Sequence, residues 1–240
     1  MDQRYERNFS TISLDEQARL GRSGVCVTGL GGLGGCVAEM LARTGVGNLV
    51  LVDGDHFESS NLNRQLLCTE ELVGMSKADA AQDRVKAVNG SVNVRKVRSF
   101  LREKNARDIL FGCDLVVDCL DSIDDRFILE EAAQALEIPL VSGAIAGTFG
   151  QATVIFPEDR GFELIYGKKR EIRGQGAEKT LGNIASTVFF MASIQVSETV
   201  KVLLNRNGVL KNRLLTADLE SCSFEIVDLP GRQGAEERAR

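Results

Sequence analysis

The chain has 240 residues, of which 43% are hydrophobic and 26% are charged, a composition typical of a soluble globular domain and not of a disordered chain. Its net charge of −5 argues against binding to nucleic acid or to an anionic membrane through bulk charge. The N-terminus is charged, without the apolar core of a signal peptide, and the longest uncharged stretch, residues 181–197, is shorter than the roughly 20 residues that cross a bilayer. We therefore expect a cytoplasmic protein without a membrane segment.

The first structural signal lies in residues 24–53. An apolar run at 24–29 ends in glycines, a helical pattern follows at 33–43, and a second apolar run at 48–53 ends at Asp53. A strand, a glycine turn, a helix and a second strand within about 30 residues make a βαβ unit with parallel strands.

The same alternation continues to residue 143. The patterns predict helices at 77–88 and 125–136, and strands at 92–97, 114–119 and 138–142. The strands are nearly continuous runs of Val, Leu and Ile, as expected where both faces of a sheet are covered. The sequence therefore predicts an α/β fold, a doubly wound Rossmann-like and mainly parallel sheet.

After residue 143 the pattern changes. Residues 150–156 alternate as an antiparallel strand does, residues 182–204 predict a buried helix, and residues 213–219 and 223–229 predict a closing hairpin. Between them, residues 157–180 are charged and glycine-rich, which predicts a long mobile loop. We predict one domain over 1–229, made of an N-terminal arm (1–23) and two halves (24–143 and 144–229), with a disordered tail at 230–240.

The glycine turn is the first motif that indicates chemistry. Gly29, Gly31, Gly32 and Gly34 lie between the first strand and its helix, where glycines let the backbone approach a phosphate at the helix N-terminus. Asp53 follows about 20 residues later, where an acid can hold ribose hydroxyls. The pattern indicates nucleotide binding but does not separate NAD from ATP.

Three further residues follow strands at the same edge of the predicted sheet. Arg64 belongs to the segment SNLNRQ after the second strand, and Lys77 begins the next helix. Two cations beside a backbone anion nest suit a triphosphate better than a pyrophosphate. Asp121 follows the strand at 114–119, where an acid beside a triphosphate is a natural magnesium ligand. Taken singly, the two cations could be solvated and Asp121 could cap the next helix, but their common location favours a site.

These motifs carry a family resemblance. RYERN near the start, GLGGLGG, LVDGDHFESSNLNRQ, VGMSKA and DCLDSIDDR resemble, in order and spacing, the ThiF/MoeB/HesA family of ubiquitin-activating-enzyme-like adenylyltransferases. The resemblance covers residues 4–229. It implies that residues 24–143 form the nucleotide-binding half and residues 144–229 a carrier-binding half.

The resemblance also implies a role for each candidate residue. Arg7 resembles an arginine that reaches across a homodimer into the partner's nucleotide site, and Asp121 is the implied magnesium ligand. The implied nucleotide-binding residues are the glycines of the turn, Asp53 on the ribose, Asn61, Arg64 and Lys77 on the phosphates, and Gln65 in a supporting position.

The implied reaction is attack of a C-terminal carboxylate on the α-phosphate of ATP, which yields an acyl-adenylate and pyrophosphate. The implied substrate is a small ubiquitin-like sulfur-carrier protein ending in Gly-Gly, in a pathway of the thiamin or molybdopterin type. Because a carboxylate is already anionic, the reaction needs cations and no general base.

Two departures from the family pattern affect this hypothesis. The chain has six cysteines but no CxxC pair, and its only histidine is His56, so a structural zinc is not expected. The stretch ahead of the last long helix, GQGAEKTLGN, lacks the cysteine that many members use for a thioester or persulfide.

Other functions stay open at this stage. The same adenylation could act on a modified tRNA or a peptide, although the acidic charge disfavours tRNA. A non-catalytic module that docks a carrier or a nucleotide is a different class, and a nicotinamide dehydrogenase built on the same glycine turn is the weakest alternative.

Overall fold

The computed structural model describes residues 2–169 and 178–231. Its strands form one eight-stranded sheet in the order β3-β2-β1-β4-β5-β6-β7-β8. The strands are β1 (Gly24–Thr28), β2 (Asn48–Val52), β3 (Asn93–Val97), β4 (Leu115–Asp118), β5 (Leu140–Ala146), β6 (Phe149–Ile155), β7 (Arg213–Asp218) and β8 (Ser223–Asp228). The helices are α1 (Leu14–Leu20), α2 (Gly32–Thr44), α3 (Lys77–Val88), α4 (Glu103–Leu110), α5 (Ile123–Ala135), α6 (Glu163–Tyr166), α7 (Glu178–Leu181) and α8 (Ala185–Leu203), and a 3-10 helix spans Gln3–Asn8.

The first five strands are parallel. Strand β1 lies between β2 and β4. Strands β2 and β3 are added on one side of β1, and strands β4 and β5 on the other, so the strand order reverses between β1 and β4. Such a reversal opens a crevice at the carboxyl ends of the two strands, which is where open α/β sheets bind ligands. The predicted Rossmann-like sheet is confirmed, and the carboxyl ends of β1, β2 and β4 bring Thr28, Val52 and Asp118 to one edge.

The last three strands extend this sheet in antiparallel register. Strand β6 pairs with β5 through a tight turn, β7 pairs with β6, and β8 forms a hairpin with β7. All six residues of β8 are exposed, because it is the edge strand. The predicted antiparallel extension is therefore also confirmed.

Two hydrophobic layers cover the parallel strands. Helices α2, α3 and α8 pack on one face, against Val25, Val27 and Val141, and helices α4 and α5 pack on the other, against Cys26 and Val116. Alternate residues of one strand thus enter different cores, which explains the unbroken apolar runs in the sequence. Helix α8 crosses from β4 to β6 and so joins the parallel and antiparallel parts.

The structure corrects the prediction of a long mobile loop over 157–180. Phe162 is fully buried, with its ring 5.9 Å from the ring of Phe127 and 5.6 Å from that of Tyr166. These contacts fix residues 157–169 on α5, and a short helix, α6, forms within them. Polar contacts add to the aromatic anchor, since Phe162 N donates to Glu130 Oε1 at 2.9 Å and Lys169 Nζ donates to Glu131 Oε1 at 3.1 Å. The polar composition of the segment conceals these contacts. Residues 178–180 of the predicted loop begin α7, whereas residues 170–177 and the predicted disordered tail from 232 onward lie outside the described residues.

The sequence patterns also missed helix α4. Only Ala106, Ile109 and Leu110 of its eight residues are buried, so the apolar stripe is too short to indicate a helical period.

Among the described residues, no helix is long and apolar enough to cross a membrane.

Candidate active site

The glycine turn between β1 and α2 is a tight, preformed structure. Gly29 has φ +82°, a conformation that residues with a β-carbon rarely adopt. Gly34 lies within the first turn of α2, where a β-carbon would overlap the carbonyl oxygen of Gly29. The close approach of helix to strand directs the N-terminus of α2 at the cleft, so that its free N–H groups can bind an anion.

Asp53 holds this turn in place. Its Oδ2 accepts a hydrogen bond from Leu30 N at 2.7 Å, and its Oδ1 accepts one from Asp55 N at 2.8 Å. Asp53 is 9% exposed. A carboxylate oxygen can accept two hydrogen bonds, so each oxygen retains the capacity to accept a ribose hydroxyl.

Lys77 is buried at the first position of α3. It is 8% exposed, and its Nζ lies 3.3 Å from Asp55 Oδ2. Its main-chain N donates to Asp55 O at 3.0 Å, which fixes the start of the helix beside the end of β2. Because Lys77 is buried, the alternative that its side chain is solvated is wrong. A buried ammonium whose carboxylate partner is partially exposed can bind a second anion from a ligand.

Arg64 is half-buried and held by its own segment. Its Nη1 donates to Ser60 O at 3.0 Å and to Asn63 Oδ1 at 2.8 Å. Both acceptors are neutral, so the guanidinium keeps its full charge for an anion in the cleft.

Asp121 follows β4 and is exposed in the cleft. It does not cap the next helix, because the cap of α5 is Ser122, whose hydroxyl accepts from Asp125 N at 3.3 Å. Behind Asp121 lies a buried ion pair, in which Asp118 Oδ2 accepts from Arg126 Nη1 at 2.8 Å and from Ser142 Oγ at 2.7 Å. Arg126 also donates to the carbonyl of Leu120, so the residue before Asp121 is fixed to this pair.

Burial sets the electrostatics of this pair. It raises the pKa of the Asp118 carboxyl, while Arg126, Ser142 and the N–H of Leu120 stabilise the carboxylate. Burial alone would lower the pKa of the Arg126 guanidinium, but the attraction of Asp118 and other nearby groups outweighs it and raises that pKa. Both groups make several hydrogen bonds, since Leu120 N donates to Asp118 Oδ1 and Arg126 donates to Ser142 Oγ and to Gly143 O, so we interpret the pair as a rigid support for the loop that carries Asp121.

These residues border one open cleft of about 1160 Å³. It is lined by eight of the eleven residues that the sequence predicted: Gly29, Gly31, Gly32, Asp53, Arg64, Gln65, Lys77 and Asp121. Gln65 is buried, with its amide against Gly31, and its Oε1 has no hydrogen-bond partner within residues 2–169 and 178–231. An orphaned polar atom beside the glycine turn is consistent with a cleft that a polar ligand completes.

Three predicted residues do not line the cleft. Gly34, in the first turn of α2, packs against Gly29 as described above. Asn61 is buried and caps its own turn, with Oδ1 accepting from Glu58 N at 3.1 Å, and its phosphate contact stays a prediction. Arg7 is exposed on the N-terminal 3-10 helix.

The sequence reasoning missed the wall that follows β3. Ser99, Phe100, Leu101 and Arg102 line the cleft next to Gly54. A β-carbon at Gly54 would lie 2.8 Å from the Phe100 ring, so this glycine lets the ring close over the end of β2. The signal was available, since these residues follow a parallel strand at the same edge as Asp53 and Asp121.

The cleft also extends beyond the parallel strands. It passes Asn183 and Val188 at the start of α8, then Ile145 and Phe149, and ends among residues of the β7–β8 hairpin such as Thr216 and Glu225. One continuous cavity therefore connects the glycine turn with the antiparallel part of the sheet.

The donors in the cleft fit a magnesium ion that is carried by a nucleotide. No group of three or more His, Cys, Asp or Glu side chains that could hold a metal occurs within the described ranges. Magnesium bound to a nucleotide needs only one or two carboxylates, because phosphates and waters supply its other ligands. The exposed carboxylate of Asp121 meets that requirement.

A parallel sheet with a glycine turn, an acid after β2 and two cations on one cleft defines a protein of the nucleotide-binding α/β class. The sequence matches the ThiF family over residues 5–237, and the chain belongs to this family. Membership confirms the predicted family.

Two curated relatives illustrate the match. The adenylyltransferase and sulfurtransferase MOCS3 of Culex quinquefasciatus is 35% identical over 243 residues, which cover 96% of this chain and 53% of the relative. The SAMP-activating enzyme E1 of Haloferax volcanii is 35% identical over 229 residues, which cover 93% of this chain and 84% of the relative. The chain thus spans about half the length of the MOCS3 relatives.

Solved structures share the fold. PaaA has a TM-score of 0.78 at 25% identity, over 94% of this chain and 72% of its own. Escherichia coli MccB, crystallised with succinimide, has a TM-score of 0.83 at 19% identity, over 96% of this chain and 72% of its own.

Proposed function

We propose that this chain is an ATP-dependent adenylyltransferase that activates the C-terminal carboxylate of a small ubiquitin-like sulfur-carrier protein, in cofactor biosynthesis of the thiamin or molybdopterin type. One observation carries the proposal: Arg64, Lys77 and Asp121 come from three separate segments and border one cleft with the glycine turn. Two cations and one acid around an anion nest are what a triphosphate with its magnesium requires.

In the proposed reaction, a carboxylate oxygen of the carrier attacks the α-phosphorus. A bond forms between that oxygen and phosphorus, the bond from the α-phosphorus to the α–β bridging oxygen breaks, and pyrophosphate leaves with the electron pair. Negative charge increases on the leaving group, and Lys77 and Arg64 would stabilise it. Magnesium, bound through Asp121, would neutralise phosphate charge and orient the triphosphate.

The remaining nucleotide contacts follow from the same geometry. Asp53 would accept the ribose hydroxyls, because its carboxylate lies at the end of β2 next to the glycine turn. The wall formed by Phe100 and Leu101 would cover the base. Gly31 and Gly32 would let the backbone approach the phosphates, and Gln65 would bond to the ligand beside them.

The proposed reaction needs no nucleophile from the enzyme. Cys119 is a thiol on the cleft, and burial raises its pKa well above the usual range, so it stays protonated. A protonated thiol is a poor nucleophile. We therefore propose that the next acceptor, such as a sulfide-level sulfur nucleophile, attacks the acyl carbon of the adenylate directly. The bond from that carbon to the phosphate oxygen then breaks, AMP leaves with the electron pair, and Cys119 forms no covalent intermediate.

The antiparallel part supports a protein as the acceptor. The cleft runs from the phosphate end to the β7–β8 hairpin, where Phe224 and Ile226 are exposed. An extended C-terminal tail could lie along this path while the carrier rests on the sheet. The names of the relatives, an adenylyltransferase and an E1 activating enzyme, support the same acceptor class.

We also propose a homodimer in which Arg7 completes the partner's site. The 3-10 helix with Arg7 is anchored rather than loose, because Asn89 Nδ2 donates to Tyr5 OH at 2.7 Å and Arg4 bonds to Asn89. An exposed arginine on an anchored segment suits a contact with a second chain. A fully active monomer in analytical ultracentrifugation would contradict this part of the proposal.

ATP–pyrophosphate exchange tests the function. The assay pairs each carrier protein ending in Gly-Gly with a version that lacks this tail, and we expect exchange only with the intact tail. Lys77→Ala and Arg64→Ala should abolish exchange, whereas Lys104→Ala and Arg107→Ala, on the exposed surface of α4, should leave it intact.

A negative result would also be informative. Exchange that appears with a modified tRNA or a peptide instead would keep the adenylation and change the acceptor. Binding of Mg-ATP without exchange for any carboxylate would indicate a docking module, and the catalytic proposal would be wrong.

A further inference from the structure

Asn63 joins two parts of the molecule that lie 120 residues apart in sequence. Its Oδ1 accepts from Arg64 Nη1 at 2.8 Å, and its Nδ2 donates to the main-chain oxygen of Asn183 at 3.1 Å. The side-chain amide of Asn63 therefore contacts the guanidinium of Arg64 through its oxygen and the backbone ahead of α8 through its nitrogen.

The backbone at Asn183 forms part of the wall between the two ends of the cleft. Gly147, in the turn between β5 and β6, donates to Gly182 O at 2.7 Å, and Gly147 and Asn183 form a parallel β-bridge. Asn183 lines the cleft directly. Residues 182–184, which we term the α8 lead, are thus bound to the β5–β6 turn on one side and to Asn63 on the other.

The α8 lead is not fully satisfied in this state. The side-chain Oδ1 of Asn183 is buried and has no hydrogen-bond partner among the described residues. A buried acceptor without a donor is unfavourable. A ligand with a hydrogen-bond donor could satisfy this oxygen, so the α8 lead would change conformation when such a ligand enters the cleft. Asn63, by contrast, is exposed. Its two hydrogen bonds compete with water, and they can orient groups without determining whether the chain folds.

We infer that Asn63 is a positioning residue that couples occupancy of the phosphate site to order in the α8 lead. A phosphate that binds Arg64 fixes the guanidinium, the guanidinium fixes the amide of Asn63, and the amide strengthens its bond to Asn183 O. The wall towards the antiparallel part is then ordered before the acceptor's tail arrives. The inference rests on the proposed function only in taking Arg64 as a phosphate ligand.

Hydrogen exchange on the full chain tests the coupling. Exchange at Gly147 and through residues 182–188 is measured with and without the Mg²⁺ complex of a non-hydrolysable ATP analogue. In the wild type we expect the analogue to slow exchange in these segments. Asn63→Ala should speed ligand-free exchange there by about threefold to tenfold, the equivalent of one exposed hydrogen bond, and should abolish the slowing.

The control is Asn93→Ala. Asn93 is also exposed and makes one side-chain hydrogen bond, to Asn48 Oδ1 at 3.4 Å, at the amino end of β3 and away from the cleft. It should behave as the wild type. A merely structural role for Asn63 would alter exchange and analogue affinity without removing the ligand-induced slowing.

Each other outcome has a defined meaning. Unchanged slowing in Asn63→Ala overturns the inference. If the analogue does not bind the wild type, the proposed function and the coupling both fail. If ligand-free exchange in Asn63→Ala equals that of the wild type, Asn63 does not hold the α8 lead.

Discussion

Gly34 is packed against the backbone of Gly29, so that a β-carbon on residue 34 would overlap the Gly29 carbonyl oxygen. The contact joins the first turn of α2 to the end of β1 and sets the angle at which the helix N-terminus faces the cleft. The glycine motif predicts Gly34 as a nucleotide-binding residue, which stays a prediction, and the structure adds this packing role.

Gly34→Ala should therefore destabilise the protein. Backbone atoms must shift to admit the methyl group, and overpacking of this kind costs about 1–3 kcal/mol or more. Urea denaturation measures the change in the free energy of unfolding. Gly90→Ala is the matched control, because the nearest atom to its β-carbon would be 3.7 Å away. Equal stability of the two variants would contradict the packing role.

Asp121→Asn should remove catalysis and leave the fold unchanged. The amide keeps the shape of the carboxylate but loses the charge that holds magnesium, so we expect ATP–pyrophosphate exchange to fall on the order of 10²–10³-fold. The melting temperature should match that of the wild type, because Asp121 is exposed. Asp124→Asn, an exposed neighbour in α5, serves as control, and wild-type exchange in the Asp121 variant would refute the magnesium role.

Arg126→Met should destabilise the fold. The side chains of Asp118 and Arg126 are 0% and 5% exposed, and loss of one partner leaves a buried charge uncompensated, which costs about 3–5 kcal/mol. Adding Asp118→Asn should recover part of that loss, since no charge remains. Chemical denaturation of both single variants and the double variant completes the cycle, and additive effects would show that the pair is not coupled.

Glu130 should give the protein a pH-dependent stability. Burial raises the pKa of its carboxyl to about 7 from 4.5, and the charges of Glu131 and Asp118 add to the shift. Below pH 4.5 the carboxyl is protonated in both the folded and the unfolded chain. Between pH 4.5 and 7 the unfolded chain loses the proton first, so the contribution of Glu130 to stability falls as the pH rises.

Glu130→Gln should remove this dependence. Its amide oxygen can still accept the bond that Phe162 N donates to Glu130 at 2.9 Å. At about pH 8 the variant should be more stable than the wild type, by up to about 3 kcal/mol, and the difference should shrink towards pH 4.5. Thermal unfolding across this range measures it, with Glu103→Gln, on the exposed surface of α4, as the control. Parallel curves for wild type and Glu130→Gln would contradict the prediction.

Local pattern accounts for much of what could be predicted. The runs that form β1, β2 and β4 are mainly apolar, and α3 begins and ends at the predicted residues, Lys77 and Val88. Residues that follow parallel strands must meet at one edge, so the order of strands and helices along the chain is enough to place Asp53, Arg64, Lys77 and Asp121 together.

Other features depended on the tertiary structure. The burial of Phe162 decided that residues 157–169 pack on α5, and the fold decided that Asn61 caps its own turn by accepting from Glu58 N. Helix α4 was hidden because only one short stripe of it is buried.

The sequence by itself determined the family, most of the succession of strands and helices along the chain, and four charged residues of the cleft (Asp53, Arg64, Lys77 and Asp121), because periodicity, turn chemistry and strand ends are local properties. Only the tertiary structure decided that Asn63 bonds to the backbone of Asn183 and that Gly34 supports Gly29. Both contacts depend on how α2 and α8 pack against the sheet, and packing between distant segments leaves no local pattern in the chain.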